Sequence, residues 1–486
     1  MKKPTLTVNY LFNLGYQLLI VLVPLIVTPY VSRVLGAEGI GAYSYAQSIV
    51  SCFALAAALG TAVHGQRVIA VARDDAAART RIFWEIFCLR VAGVGTALAV
   101  YFLAAVPRSP HPLVWSLAAV ELAAAAADIS WFFQGIEDFR RITVCNGAVK
   151  LVCTVGIFVF VKTAADLPIY ILLYCCSLLL GNLSLWAFLP AQLGKTREKL
   201  APMRHLRPAL ALFLPQVAIY VYAVLDKTML GSILGSDLQN GYYEQAQKLQ
   251  RVLLALATAL GTVIIPRVAN LWARQKHREI DALLNHSLRM ILAIAFPAVA
   301  GIWLVADRFV PIYYGPGYAP VAMLLKIFVW IVLFAGISGV TGNQYMIPTG
   351  RENLYTRSVV LGAVLNVALN AVLIPHWQAN GAALASAVAE FAIMAYQLWL
   401  LRHVLNFKPL AAMIPQYLIP TAAMAAAAAL AGKLLGQGIL SLVGMVAAGG
   451  LAYLAVLFVR RDPLLQPAVW HRVTGAGQQE EKGETT

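Results

Sequence analysis

Two stretches of the chain, about 200 residues apart, share a sequence pattern. Residues 35–48 read LGAEGIGAYSYAQS, and residues 234–248 read LGSDLQNGYYEQAQK. With a one-residue gap, Leu-Gly, an acid, a Gly, a Tyr and Ala-Gln coincide. The tetrapeptide Ala-Leu-Gly-Thr at 58–61 recurs at 259–262. A nearly constant offset over these positions indicates an internal repeat, in which each copy forms one half of the fold.

The composition indicates what kind of fold is repeated. Of 486 residues, 60% are apolar and only 12% are charged, and the mean hydropathy is +0.73. A soluble domain typically has about 25% charged residues. The six cysteines lie in apolar runs without metal-binding spacing, so they are interpreted as small apolar residues. The chain is therefore predicted to be a polytopic membrane protein.

A helix that crosses a bilayer needs about 20 mostly apolar residues, and fourteen segments of the sequence meet this requirement. Their predicted limits are Tyr10–Val31, Tyr43–Val63, Ile82–Ala105, Leu113–Gln134, Thr143–Val161, Pro168–Leu189, Ala209–Ile233, Glu244–Ile265, Leu284–Ala306, Ala319–Thr341, Tyr355–Ile374, Gly381–Leu401, Leu410–Gly432 and Gly438–Val459. We therefore expect an all-α polytopic membrane protein with 14 transmembrane helices.

The basic residues between these spans are distributed unequally. With the N-terminus inside, 24 Lys and Arg residues fall in cytoplasmic segments, and five fall in outer loops. By the positive-inside rule, both termini are expected in the cytoplasm, with the protein in the cytoplasmic (inner) membrane. Most of the net charge of +15 follows from this asymmetry and does not indicate nucleic-acid binding.

The repeat also predicts the domain organisation. It relates span 2 to span 8, and this even offset of six spans gives both halves the same orientation, with a pseudo-two-fold axis along the membrane normal. Residues 1–195 are predicted to form an N-terminal six-helix lobe and 196–403 a C-terminal one. Residues 404–462 add spans 13 and 14, and 463–486 form a polar cytoplasmic tail. Two such lobes are expected around a central cavity.

The predicted spans contain eight basic and six acidic residues. Charges within a membrane are costly and usually face a wet cavity or one another. The second copy of the repeat has charges where the first has hydroxyls, on one helical face: Ser44, Ser48 and Ser51 correspond to Glu244, Lys248 and Arg251. Asp226 and Lys227 are expected at a depth similar to Arg251. Structural ion pairing and a cationic cavity both remain open as interpretations.

Candidate site residues fall into three groups. A cationic cavity for a polyanionic head group is predicted from Arg251, Lys248, Lys227, Arg90, Lys150 and Arg289, because Arg and Lys bind phosphate. Polar cavity residues are Asn13, Gln17, Glu244, Gln247, Asn366 and Asn370. Candidate ion-coupling acids are Asp226, Asp128, Glu121 and Glu390. Of these, Arg90, Asp128 and Lys150 are expected to share a depth. No cofactor or metal is predicted.

The sequence contains no ATP-binding or catalytic motif. Lys195 follows a Gly as in a P-loop, but the leading glycine of that motif is replaced by Leu189. Transport is therefore expected to use an ion gradient such as H+ or Na+, the membrane potential or the substrate gradient.

Further motifs are spread over the twelve repeated spans: TPYVSRVLG at 28–36, LDKTMLG at 225–231, IPR at 265–267, PTGR at 348–351 and GAALAS at 381–386. Together they resemble the Wzx-type oligosaccharide flippases of the polysaccharide transporter family, in the multidrug/oligosaccharidyl-lipid/polysaccharide (MOP) exporter superfamily. The resemblance implies a MATE-like fold, with two six-helix bundles around a V-shaped cationic cavity and two additional helices.

The resemblance also implies a function and its partners. Such flippases move undecaprenyl-diphosphate-linked oligosaccharide repeat units from the inner to the outer leaflet by alternating access, for assembly of O-antigen, capsule or exopolysaccharide. The diphosphate would meet the basic residues, the membrane lipids would hold the tail, and polysaccharide polymerase machinery is an expected contact. Peptidoglycan-precursor flippases carry an arginine in the first span, and Tyr10–Val31 has none, which argues against that substrate.

Three alternatives remain. A multidrug (MATE-type) exporter coupled to ions would favour an acidic cavity, whereas the spans have more bases than acids. A flippase for another lipid-linked cell-wall precursor would share the fold. A membrane enzyme that handles glycans would need a large outer loop, and the longest one is about a dozen residues, within ordinary connection lengths. The chain is therefore not expected to be an enzyme.

Overall fold

The computed structural model describes residues 6–194, 199–258 and 261–465. Within these ranges, the side chains at 6–14, 16–18, 20–21, 214–216, 218–219, 221–223 and 262–263 are not described. Asn13 and Gln17, predicted as polar cavity residues, therefore lie outside the described side chains. Residues 195–198, which contain the predicted boundary between the lobes, and most of the predicted tail also lie outside the described residues.

The described residues form sixteen α-helices joined by turns and short 3-10 or π segments. The helices are α1 (Leu6–Ala58), α2 (Thr61–Val71), α3 (Ala76–Val100), α4 (Pro112–Ala118), α5 (Val120–Ala127), α6 (Ser130–Gly135), α7 (Phe139–Phe160), α8 (Leu167–Trp186), α9 (Leu206–Leu234), α10 (Asp237–Thr258), α11 (Gly261–Ala273), α12 (His277–Tyr314), α13 (Pro320–Gly339), α14 (Glu352–Leu401), α15 (Lys408–Leu434) and α16 (Ile439–Val459). A π segment, Val340–Met346, follows α13.

Ten helical segments of the described residues are long and apolar enough to cross a membrane. This confirms the prediction of an all-helical, multi-pass membrane protein. Two of the ten contain a bend at a residue outside helical geometry, namely Gly36 in α1 and Gln378 in α14. Because each bend separates two arms, α1 contains the first predicted span and most of the second, and α14 contains the eleventh and the twelfth.

The structure corrects two of the predicted spans. Leu113–Gln134 is not one helix, because Asp128 takes an extended conformation after α5 and its carboxylate accepts a hydrogen bond from Ser130 N at 2.9 Å, as in an Asx-turn. Tyr43–Val63 is not one helix either, because α1 ends at Ala58, and Leu59 and Gly60, with φ of 47° and 74°, separate it from α2, which begins at Thr61. In both cases the hydropathy was continuous although the backbone is not. The predicted span Glu244–Ile265 includes residues 259 and 260, which lie outside the described residues.

Contacts divide the chain into two compact units. Unit 1 consists of Met1–Gln245 and Ile374–Ala379, and unit 2 of Ala246–Leu373 and Asn380–Thr486. The core of unit 1 includes a buried aromatic cluster on α3 and α6: Phe83, Trp131, Phe132 and Phe133. The core of unit 2 consists mainly of Leu, Ile and Val side chains of α12 and α13, together with Tyr417 on α15. Each unit thus has its own packed interior.

Within unit 1 the two copies of the repeated sequence contact each other. A methyl group added to Gly41 would lie 1.7 Å from the carbonyl oxygen of Asp237, and one added to Gly241 would lie 1.9 Å from that of Ala37. The contact is reciprocal with an offset of 200, as a local two-fold axis requires. Glycine allows the close backbone approach that packs α1 against α10.

Candidate functional site

A buried ion pair joins α9 and α10 near this crossing. The two helices are separated by only two residues, and Gly235 takes the left-handed conformation that ends α9. This tight turn places Lys227 opposite Glu244, with 2.9 Å between Nζ and Oε2. Ser44 donates a hydrogen bond to the same Oε2 at 3.2 Å. Both charged residues are more than 90% buried, so the charge of each is neutralised by the other.

The expected depth of Asp226 and Lys227 is therefore wrong. We expected both at the level of Arg251, which follows Glu244 by seven residues, or about 10 Å along a helix. The short turn instead fixes the antiparallel pairing of α9 with the first two turns of α10. In the same register, Tyr243 OH donates a hydrogen bond to Asp226 Oδ2.

Glu121 is a buried carboxylate surrounded by neutral groups. Tyr43 OH donates a hydrogen bond to its Oε1 at 2.5 Å, and Gln47 Nε2 donates one at 3.0 Å. Cys175 Sγ lies 3.9 Å from the same oxygen. Among the described side chains, no cation lies within ion-pairing distance of Glu121, so no salt bridge holds this carboxyl group in its charged form. Tyr43, Gln47 and Cys175 were not predicted as part of a site.

Arg90 and Asp128 form an ion pair, as the shared depth of their spans predicted. Arg90 Nη2 lies 3.1 Å from Asp128 Oδ2, and Arg90 Nε donates to Ala125 O at 2.7 Å. Both bonds hold the break between α5 and α6 in place. Lys150, expected beside them, lies half-buried on α7 and makes no hydrogen bond or ion pair with another residue of the described ranges. Arg90 and Asp128 thus balance each other's charge at this break.

In unit 2, Arg251 is exposed on α10. Its Nη2 donates a hydrogen bond to Gln247 Oε1, one turn earlier, at 2.8 Å. Lys248, which lies between Gln247 and Arg251 in the sequence, is half-buried. A guanidinium held by a neutral amide keeps its full positive charge and most of its donors, so Arg251 is suited to bind an anionic group.

Arg289, also predicted for the cationic cavity, faces the C-terminal helices instead. Its Nη1 donates to Gln416 Oε1 on α15 at 3.3 Å and lies 4.0 Å from Asp462 Oδ2, just after α16. Tyr417 OH donates to the same carboxylate, through Oδ1, at 3.2 Å. The two helices beyond the repeat therefore supply the carboxylate that balances this arginine.

The two arms of α14 bring a set of polar side chains together. Asn366 Nδ2 donates to Ser386 Oγ at 3.2 Å, and Asn370 Nδ2 donates to Asn366 Oδ1 at 3.1 Å. Both asparagines are fully buried, and Glu390 is buried one turn after Ser386. The bend at Gln378 makes this possible, because it folds the second arm back along the first. Ser386 was not predicted as a site residue.

One buried cluster was not predicted at all. The carboxylate of Glu85 on α3 accepts hydrogen bonds from Ala201 N at 2.9 Å and from Arg204, and it contacts His205 Nε2 at 2.9 Å. His205 Nδ1 lies 2.9 Å from His64 Nε2 on α2. These contacts hold the segment after residue 198 against α2 and α3. A buried acid in an otherwise apolar span was the signal for this cluster.

A metal centre receives no support from the geometry. Within the part of the chain that the structure describes, no three His, Cys, Asp or Glu side chains are grouped so that they could hold a metal ion. The buried polar side chains of α14 also contain oxygen atoms, but these belong mainly to amide and hydroxyl groups.

Comparison with known proteins assigns the chain to a family. A family model described as polysaccharide biosynthesis protein matches residues 6–272, more than half of the chain. A second model, described as lipid II flippase MurJ, matches residues 148–448. The two models overlap and together cover most of the helical part of the chain.

Individual relatives agree with these models. The chain is 24% identical over 391 residues to the "Putative O-antigen transporter" of Escherichia coli (strain K12), covering 79% of this chain and 93% of that protein. It is 29% identical over 163 residues to the lipid II flippase MurJ of Bacillus subtilis (strain 168), covering 31% and 28% of the two chains. These relatives are transporters and flippases rather than enzymes, which confirms the prediction that the chain is not an enzyme.

Solved structures show the same fold at lower identity. The structure titled lipid II flippase MurJ, inward closed conformation, has a TM-score of 0.76 at 14% identity and covers 94% of this chain and 100% of its own. An inward-facing MATE family transporter of the MOP superfamily has a TM-score of 0.60 at 16% identity, covering 78% of this chain and 93% of its own. The chain belongs to the polysaccharide biosynthesis protein family and is a Wzx-type flippase of the MOP exporter superfamily.

Proposed function

We propose that the chain moves undecaprenyl-diphosphate-linked oligosaccharide repeat units across the bacterial cytoplasmic membrane by alternating access. The product would serve the assembly of a surface polysaccharide such as O-antigen, capsule or exopolysaccharide. The observation that carries this proposal is the match to an O-antigen transporter over 79% of the chain, within a family of polysaccharide biosynthesis proteins. The match to MurJ also points to a lipid-linked sugar as substrate.

The charges in the two units support a narrower set of diphosphate-binding residues than the sequence suggested. Lys227, Arg90 and Arg289 each have an acidic partner, at 2.9, 3.1 and 4.0 Å. Arg251 is exposed and bonded to an amide, and Lys248 lies one turn from it on α10. We assign the diphosphate contact to Arg251 and Lys248, with Gln247 as the group that orients the guanidinium.

The same reasoning ranks the acids that were considered for ion coupling. Asp128 pairs with Arg90 and supports the break between α5 and α6, so it ranks low among these acids. Glu121 has hydrogen bonds from neutral groups and is the better candidate for H+ coupling in unit 1. Glu390, beside the polar side chains of α14, is the candidate in unit 2. Asp226 is held by Tyr243 and ranks below both.

For the membrane arrangement, we propose the fourteen spans and the two six-helix lobes derived from the repeat, with residues 404–462 as two additional spans. Both termini would lie in the cytoplasm. The two bends, together with α9 and α10, would account for the four spans beyond the ten that meet the length and hydropathy criteria. Contact with polysaccharide polymerase machinery belongs to the same proposal.

The assignment is tested by transport. We expect Arg251→Ala and Lys248→Ala proteins to insert in normal amounts, whereas surface polysaccharide is lost. The matched control is Arg278→Ala, an exposed arginine at the start of α12 that has no assigned role. Normal polysaccharide export by both site variants would refute the assignment of the diphosphate contact.

A second experiment separates the candidate substrates. Purified protein in liposomes is given fluorescent undecaprenyl-diphosphate oligosaccharide, lipid II or a cationic dye, and translocation of each is measured. The proposal expects transport of the oligosaccharide. Transport of lipid II alone would support the alternative of a flippase for another cell-wall precursor. The match to the MurJ family model over residues 148–448 favours this alternative. Export of the dye alone would support a MATE-type exporter.

A further inference from the structure

An apolar groove lies on the surface of unit 2, between α12, α13 and the second arm of α14. Its volume is about 340 Å³, and four aromatic side chains form much of its lining: Phe334 and the three partly exposed rings of Trp303, Trp330 and Phe391. This volume is within the range of ordinary ligand sites, which are mostly apolar with a few polar groups. The three rings are between 37% and 49% exposed. Since all three helices are long and apolar enough to cross a membrane, a membrane lipid can reach the groove.

The lining residues of α13 show that the groove runs along this helix. Lys326, Trp330 and Phe334 lie on one face of this helix, and they span about 12 Å at 1.5 Å per residue. The ring of Phe334 packs edge-on against Phe391 of α14, with 5.3 Å between the ring centroids. The groove is therefore lined almost wholly by apolar groups, and Lys326 lies at one of its ends.

An ion pair lies beside this end of the groove. Lys326 Nζ lies 2.6 Å from Asp307 Oδ2, and Trp303 Nε1 donates a hydrogen bond to Lys326 O at 3.1 Å. The Asp307 side chain is 68% exposed, whereas that of Lys326 is only 15% exposed. Asp307 is not a lining residue, but its contact with Lys326 places one positive and one negative group next to each other beside the end of the groove, and the carboxylate is the more accessible of the two.

This combination selects one class of amphiphile. A hydrocarbon chain fits the aromatic walls, whose burial it would complete. An anionic head group would be attracted by Lys326 but repelled by the exposed carboxylate of Asp307. A zwitterionic head group with a phosphate and a primary ammonium matches both, because the ammonium donates charge-assisted hydrogen bonds to a carboxylate and the phosphate accepts them from Lys326.

We propose that this groove binds an aminophospholipid such as phosphatidylethanolamine. One acyl chain lies along Trp303, Trp330 and Phe391, the phosphate lies at Lys326, and the ammonium lies at Asp307. The site is separate from the residues assigned to the transported diphosphate, and lipid binding there does not depend on which substrate is carried.

The two groove tryptophans provide the measurement. The full chain is placed in phosphatidylcholine nanodiscs that contain a small fraction of one brominated lipid, whose bromine atoms quench tryptophan fluorescence at short range. The protein has ten tryptophans, so the groove signal is the difference from a Trp303→Phe/Trp330→Phe protein. We expect brominated phosphatidylethanolamine to quench this signal at a mole fraction about two- to fivefold lower than brominated phosphatidylglycerol or phosphatidylcholine, as for partly exposed ion pairs.

Matched substitutions test the two halves of the proposal. Asp307→Asn should abolish the preference for phosphatidylethanolamine over phosphatidylglycerol. Its control is Glu279→Gln, which removes an exposed, lysine-paired carboxylate from the other end of the same helix and should change nothing. Val388→Phe, in the groove, should weaken quenching by every lipid, whereas Val446→Phe on the exposed surface of α16 should not.

Three results would overturn the proposal. Equal quenching by the three brominated lipids would mean ordinary contact with surrounding lipid. An unchanged preference in the Asp307→Asn protein would remove the role of the carboxylate. The third result combines two observations: a small amount of undecaprenyl phosphate relieves the quenching by brominated lipid, and phosphatidylethanolamine is not preferred. This result would mean that the groove binds a polyprenyl chain. Because these assays measure lipid binding and not transport, their outcome is independent of the transport experiments above.

Discussion

At the scale of single residues, the main result is which intramembrane charges are already balanced. Lys227 and Arg90 are buried, and each lies within 3.1 Å of a carboxylate oxygen. Arg251 is exposed and bonded to an amide. In the sequence, each of these residues is simply a charged residue within an apolar helix, and nothing distinguishes one from another. The difference between a structural charge and one available to a ligand depends on the partner, and that partner is distant in the chain for Arg90.

The Lys227–Glu244 pair is expected to behave as a buried ion pair. Removing one partner leaves the other charge buried and uncompensated, at a cost of about 3–5 kcal/mol. We therefore expect Lys227→Met and Glu244→Leu each to lower the thermal unfolding midpoint strongly, and the double variant to lose much less than the sum. Lys276→Met, which breaks an exposed pair, should have little effect. Additive losses in the double variant would contradict the coupling.

A second residue-scale prediction concerns pH. Burial lowers the pKa of His64 from its usual 6.5, with His205 and Arg67 adding to the effect. The unfolded chain then takes up a proton at His64 before the folded protein does, so the free energy of unfolding should fall as pH drops below about 6.5. This decrease continues until the pH reaches the lowered pKa of the folded state.

The measurement compares the loss of thermal stability between about pH 7.5 and about pH 5 in wild type and in His64→Gln. The variant should lose less stability over this interval. His403→Gln, an exposed histidine after α14, is the control and should behave as wild type. Equal losses in wild type and the His64 variant would disprove the prediction.

At the scale of elements, glycines decide where the helices bend and where they cross. The repeated Leu-Gly supplies a left-handed residue in both copies, Gly36 with φ 69° and Gly235 with φ 59°. In the first copy the residue bends α1, and in the second it ends α9. Five residues after Gly36 in the first copy and six after Gly235 in the second, Gly41 and Gly241 allow the backbones to touch. The offset of 200 is thus visible as a structural contact.

Substitutions at this crossing should separate contact glycines from the others. Gly41→Ala would place a methyl group 1.7 Å from the Asp237 carbonyl oxygen, so α1 and α10 must move apart. We expect a large loss of thermal stability, with the same result for Gly241→Ala. Gly39→Ala is the control, because its methyl group would lie 3.5 Å from the nearest atom, at ordinary contact distance. Equal stability of the Gly39 and Gly41 variants would contradict the assigned contact.

At the scale of the whole molecule, the arrangement in the membrane follows from loop charge. The prediction places the N-terminal end of α7 inside and its C-terminal end outside, because cytoplasmic loops hold most of the basic residues. Arg140 and Lys162 are exposed at the two ends of this helix. Labelling at these two positions therefore shows which side of the membrane each end of α7 faces.

Cysteine accessibility tests this orientation. In a protein whose six native cysteines are replaced by serine or alanine, Lys162→Cys should react with an impermeant maleimide added to intact cells. Arg140→Cys should react only after the membrane is opened. The reverse pattern would invert the proposed topology, and reaction of both in intact cells would remove α7 from the spans.

Several features of the fold were predictable because they depend on local sequence. A membrane requires helices of a minimum apolar length, so hydropathy alone revealed the multi-pass class and most of the spans. The prediction failed where the backbone breaks inside an apolar run, at Asp128 and at Leu59–Gly60, because hydropathy does not detect a change of backbone conformation.

The candidate site was less predictable. Arg90 and Asp128 were correctly placed at one depth, since depth follows from counting residues along each span. Lys227 was placed at the wrong level, because its partner depends on the length of the turn after α9. The neutral surroundings of Glu121 come from α1 and α8, and no spacing in the sequence connects these segments.

The sequence by itself determined the membrane class, the internal repeat and the family, since apolar length, repeated motifs and family patterns are carried by neighbouring residues. Only the tertiary structure decided which charges neutralise each other, which glycines bring backbones into contact, and where an apolar groove ends at the Lys326–Asp307 pair. The physical reason is that an ion pair or a groove exists only once separate helices are packed in a definite register, and that register is set by bends, turns and packing over the whole unit.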